Sequence, residues 1–152
     1  MRRHEKEVTD RTELEEILQQ GRICHLAIPA GAVPYLVPMN YAYRDGQLYF
    51  HSAPAGRKME LLQSQPLVSF SVVIDGGVVE TEEACNWSSR FRSVIGQGRI
   101  ELVEREADKC AALHLLMAQF SDKHFTFAAR QVAATAIFRL VITTMSGKES
   151  RM

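Results

Sequence analysis

Residues 35–52, YLVPMNYAYRDGQLYFHS, set aromatic and branched side chains on both sides of an Asp-Gly pair. Asp45 and Gly46 tolerate the positive φ of a tight hairpin turn. Tyr35 to Ser52 therefore reads as two antiparallel strands, which excludes a βαβ start. Pro38 cannot donate to a ladder, so its strand lies at an edge, at a bulge or against a ligand.

Upstream, TDRTELEEILQQGR (9–22) reads as a helix. Asp10 or Thr9 caps it, Glu13 stands where a capping box needs it, and Gly21 stops it. Leu14, Ile17 and Leu18 form its apolar stripe. RICHLAI (22–28) reads as a strand and PAGAVP as a turn. Downstream, GRKMELLQSQ (56–65) is a short helix ended by Pro66, and LVSFSVVI (67–74) is a strand. DGGVVETEEACNWSS (75–89) reads as a long irregular loop. RFRSVIGQGRIELVE (90–104) is a long strand in which Gly96 and Gly98 mark a bulge or a close approach. READKCAALHLLMAQF (105–120) is an amphipathic helix with Cys110, Leu113, Leu116, Met117 and Phe120 towards the core. ATAIFRLVITTM (134–145) is the last strand and SGKESRM a tail. Five or six strands with few, peripheral helices predict a mostly β fold, an antiparallel sheet or barrel.

The 152 residues are expected to form a single domain spanning 1–152. Net charge is zero, with none of the basic excess of a nucleic-acid binder, and it leaves self-association unopposed. Three scattered cysteines give no disulfide framework. A charged start and the absence of a long apolar run point to a cytoplasmic chain with no membrane partner. No Rossmann fingerprint, Walker loop or hydrolase pattern is present.

Arg57 and Lys58 occupy the first turn of the helix that follows Gly56. The partial positive charge of a helix N-terminus disfavours cations there. Either both side chains face solvent, or a bound anion such as a phosphate offsets the field. Ser52, at the preceding strand end, can add a hydroxyl. His51 beside it suits proton transfer or a ligand contact, or is a structural strand-end histidine. His25 reads as structural. Cys110 and His114 stand at a metal-compatible spacing, but no second ligand pair accompanies them, so no metal site is expected. Trp87 either covers a planar ligand or anchors its loop in the core.

VPMNYAYRDGQLYFHSAPAGRKMELL together with NWSSRFRSVIGQGRIELVE resembles the pyridoxamine 5′-phosphate oxidase-like flavin-binding superfamily. MRRHEKEVTD, GRICHLAI, PYLVPMNY and the late SGK resemble its nitroimidazole-resistance (Nim-type) branch. The resemblance implies a split β-barrel and a homodimer with FMN at the subunit interface. By that likeness Arg57 and Lys58, helped by Ser52, hold the FMN phosphate. Val37, Pro38, Met39 and Asn40 run beside the flavin ring. Trp87, Arg92, Ser93 and Gly96 reach the cofactor, from either subunit. His51, where the true oxidases have an aromatic residue, becomes the candidate catalytic group. The implied activity is an FMN-dependent oxidoreductase acting on a small planar electrophile such as a nitro-aromatic compound. The alternatives are a flavin carrier or sensor without turnover, or a member that uses haem or a deazaflavin. The sequence closes on TTMSGKESRM without the arginine- and proline-containing segment that holds substrate in the true oxidases, so a vitamin B6 substrate is not implied.

Overall fold

A computed structural model describes residues 4–150. Eight strands form one antiparallel sheet: β1 (Glu7–Val8), β2 (Ile23–Ile28), β3 (Tyr35–Asn40), β4 (Ala42–Arg44), β5 (Gln47–Ser52), β6 (Leu67–Val79), β7 (Ser88–Val103) and β8 (Ala136–Ser150). Four helices accompany it: α1 (Arg11–Gln20), α2 (Arg57–Ser64), α3 (Glu106–Ala118) and α4 (Ala129–Ala134). The strand order is β3-β2-β6-β7-β8-β5-β4, with β1 added to β8. β3 also comes close to β5 without joining it in a ladder, so the sheet curls into a split β-barrel. No helix among the described residues is long and apolar enough to cross a membrane.

The Asp-Gly turn forms as expected, with Asp45 at φ 51° and Gly46 at φ 76°. The strand expected over 35–43 is instead two strands with different partners. β3 pairs with β2, Tyr35 facing Ile28, whereas β4 pairs with β5. The break falls at Tyr41, which is fully buried and whose hydroxyl donates to the Leu18 carbonyl of α1 at 2.6 Å. Pro38 lies on β3, at one end of the strand order, where its missing N–H costs little.

Three further expectations are corrected. The 75–89 loop is shorter, because β6 runs to Val79 and Val79 pairs with Ser88 past an irregularity at Asp75–Val78. The SGKES stretch is not a tail. It completes β8, pairing with β7 and, through Gly147 and Lys148, with β1. On α3 the buried residues are Ala112 and Leu116, while Phe120 is exposed under the Arg22 guanidinium.

Gly96 and Gly98 meet both expectations for glycine in a strand. The register shifts between Gln97 and Gly98, and a Cβ on Gly96 would lie 2.6 Å from the Phe70 ring. The barrel interior is filled by Leu26, Leu48, Val72, Val94 and Leu140 around Phe50 and Phe138, whose rings stack with centroids 5.1 Å apart. Each such side chain contributes about 1.5–3 kcal/mol by leaving water. α1 closes one end of the barrel, with Leu14, Ile17 and Leu18 in the core. α2 closes the other through Met59 and Leu62.

Candidate functional site

The chain leaves β5 at Ser52, crosses an exposed Ala53–Gly56 loop and enters α2. Gly56 caps the helix at φ 113°, a conformation that L side chains rarely adopt. No side chain caps this terminus, so the first N–H groups of α2 have no protein acceptor of that kind. Arg57 is exposed and its guanidinium lies 5.8 Å from the centroid of the Tyr35 ring, which ties the start of α2 to the start of β3. Lys58 is half-buried, and among the described residues it has no ion-pair partner. Burial lowers its ammonium below the ordinary lysine value. A half-buried ammonium, a guanidinium and an uncapped helix terminus stand at consecutive residues, and each is a donor type that anions recruit.

β3 alternates. Val37 and Met39 face the barrel interior, while Pro38 and Asn40 face out. The outward row continues onto β2, where Pro38 sits opposite His25, and from there to Ser71 on β6. A groove of about 590 Å³ occupies this outer face, walled by Leu36, Ile95 and Met145 and floored by Ala27, Ser69 and Ser71. His25, read from the sequence as structural, lines it and is exposed. One sequence signal was available: His25 alternates with Cys24 and Leu26, which are buried, so it had to face out.

His51 is exposed on the outer wall, in register with Ile137. Ile137 is buried against Ala112 and Leu116 of α3, so this wall carries α3. Ser52 is half-buried at the strand end beside Ala136.

The 87–96 stretch lies elsewhere in the same chain. Trp87 is 50% exposed, so it does not anchor its loop in the core, and its indole N–H donates to the Thr81 carbonyl at 2.8 Å. Arg92 faces Ile74. Its guanidinium lies 3.0 Å from Glu149 and 3.9 Å from Glu16 of α1, with the Nε approach to Glu149 off the hydrogen-bond axis. Ile28, level with Tyr35, is also level with Val68 through the β2–β6 register. Arg92 is thus six residues along β6 from the α2 end, about 20 Å at the usual rise of a strand. Ser93 faces Val73, and its hydroxyl reaches the Lys148 carbonyl at 3.5 Å. Gly96, nearer the middle of the strand, lines the groove. Within one chain the structure joins Arg57 to β3 through Tyr35, and among the described residues shows no contact of Trp87 or Arg92 with that end of β3.

Among the described residues no group of three His, Cys, Asp or Glu side chains is placed to hold a metal ion. Burial pushes the Cys24 thiol up to about 12, which removes it as a nucleophile near neutral pH.

A family model described as pyridoxamine 5′-phosphate oxidase matches residues 10–149. An uncharacterized protein of Rhizobium meliloti is 31% identical over 94 residues, 62% of this chain and 55% of that protein, so the match spans little more than half the length of this curated relative. Three solved structures are similar. A Bacteroides thetaiotaomicron protein provisionally described as a 5-nitroimidazole antibiotic resistance protein has TM-score 0.83 and 29% identity, over 93% of this chain and 85% of that one. The flavocytochrome Anf3 of Azotobacter vinelandii has TM-score 0.86 and 26% identity, over 100% and 72%. A FAD-binding protein of Mesorhizobium loti has TM-score 0.71 and 27% identity, over 94% and 96%.

Proposed function

The chain belongs to the pyridoxamine 5′-phosphate oxidase family, and on that premise we propose that it binds a flavin nucleotide, FMN in the first instance, and uses it as an oxidoreductase. The observation that carries the reading is Lys58: a half-buried cation without an acidic partner, beside Arg57 at an uncapped helix start. Such a cation is stabilised by a phosphate. The N–H groups that open α2 and the Arg57 fork complete the anion's partners. The same cradle also suits the inner phosphate of FAD, and the similarity to a FAD-binding protein supports that variant. A bound flavin supplies the electron transfer. The chain's own task is to hold the phosphate, to lay the ring along β3 and the groove, and to leave a path for an acceptor.

The acceptor is a small planar electrophile. The likeness to a protein described in terms of nitroimidazole resistance supports a nitro-aromatic compound. His51 serves as a proton donor or acceptor-binding group from the outer wall. The partner is a second copy of the chain. Leu67, Val73 and Ile95 are each more than half exposed on one sheet face, an apolar surface of the kind that marks an interface. Packing a copy there leaves the groove as the space between subunits. It also gives Trp87 and Arg92 a route to the partner's cofactor, since they are remote from their own chain's cradle.

Purified protein is expected to be yellow and to release FMN or FAD on denaturation. Replacing Arg57 and Lys58 together by Ala should lower flavin affinity at least about a hundredfold, two charge-assisted contacts being lost, with circular dichroism unchanged. Unaltered flavin occupancy in that variant defeats the assignment. Similarity to a flavocytochrome favours one competing reading, in which a haem takes the site; a Soret band in the purified protein would select it.

A further inference from the structure

The groove on the outer sheet face has a lining drawn from β2, β3, β6, β7 and β8, and among the described residues that line it His25 is the only titratable one. We propose that this groove receives the small planar acceptor and that His25 recognises the acceptor's oxygen-bearing substituent. The inference rests on the flavin reading, because the acceptor must meet a ring held along β3.

Three features support it. The volume, about 590 Å³, lies within the usual range of small-molecule sites. Leu36, Ile95 and Met145 offer apolar walls suited to the faces of a planar molecule, while the polar groups of the lining are few. His25 is exposed between Pro38 and Ser71, its cross-strand neighbours, neither of which carries charge. A protonated imidazole donates from both nitrogens, and charge-assisted donation to a nitro or carbonyl oxygen is stronger than neutral donation. Binding should therefore be tighter when the imidazole is protonated than when it is neutral, with no second titratable group among the described lining residues to mask the effect.

The test is calorimetric titration of 4-nitrobenzyl alcohol, which stays neutral throughout, into the protein as purified. Affinity is measured at about pH 5.5 and about pH 8. The unmodified protein should bind about tenfold more tightly at the lower pH, the value of one charge-assisted hydrogen bond. His25→Gln should bind weakly at both and lose the dependence, with flavin absorbance and melting temperature retained. His124→Gln, exposed in the loop after α3, should keep the dependence. Three results overturn the proposal: no binding of the probe by the unmodified protein, a pH dependence that survives in His25→Gln, or a change of sedimentation in His25→Gln that assigns the residue to subunit contact. A colourless protein that still binds the probe through His25 would sink the flavin reading and, with it, the acceptor role of the groove; a yellow protein that fails the titration would sink this proposal and leave the flavin reading standing.

Discussion

Lys58 carries a cost of burial that a bound anion would relieve. Burial depresses its folded pKa below the unfolded value, so over the interval between the two the unfolded chain binds more protons than the folded one. Stability then rises with pH across that interval, and below it the full cost of burying the ammonium is present. Lys58→Met should accordingly raise the melting temperature of the flavin-free protein at neutral pH while weakening flavin binding. The gain should shrink as pH climbs towards the ordinary lysine value, which a melting series against pH would follow. A lower melting temperature at neutral pH in that variant would mean that the ammonium has a partner after all. The first turn of α2 was legible because its argument is local: two cations against a helix field invite an anion. Arg92 was not, because Glu16 and Glu149, which it faces, stand far from it in sequence.

At the scale of elements, periodicity located every long strand and misplaced the ends of β6 and β8 for the same reason. Polar residues conceal strands whose pairing is supplied by distant segments. SGKES holds no apolar run, yet Gly147 lies against both Val94 and Val8, and a Cβ there would come within 2.5 Å of Leu14. Its strand is set by its neighbours. Ending the chain after Met145 should cost on the order of 3 kcal/mol or more, because several ladder hydrogen bonds and the seat of α1 are lost together. Urea unfolding with a lowered midpoint would report it, and an unchanged midpoint would show that the end of β8 is dispensable. The split at Tyr41 is of the same kind. YLVPMNYAY is continuous in pattern, but Leu18 of α1 draws the Tyr41 hydroxyl inward and the chain changes partner there.

For the molecule as a whole, the outer sheet face connects the fold to the proposed assembly. Leu36, Ile95 and Val73 are 64%, 55% and 53% exposed, more than a free surface of this size needs. If a second copy covers them, Ile95→Lys buries an unpaired charge at the contact. Sedimentation should then show a shift from twice the chain mass to the single chain, accompanied by loss of flavin. Sedimentation of the unmodified protein as a single chain would remove the interface from the account and leave Trp87 and Arg92 without a route to any cradle.

Sequence alone determined the kind of elements, the Asp-Gly hairpin, the two cations that open α2 and the family, since each depends on neighbours a few residues apart or on motifs in order. Tertiary structure alone decided which strands pair, where β3 parts from β4, that a groove forms beside His25, and how far Trp87 and Arg92 stand from Arg57 and Lys58. Those outcomes depend on contacts between segments remote along the chain, and the energy of such contacts is set by the curl of the barrel, which no local pattern encodes.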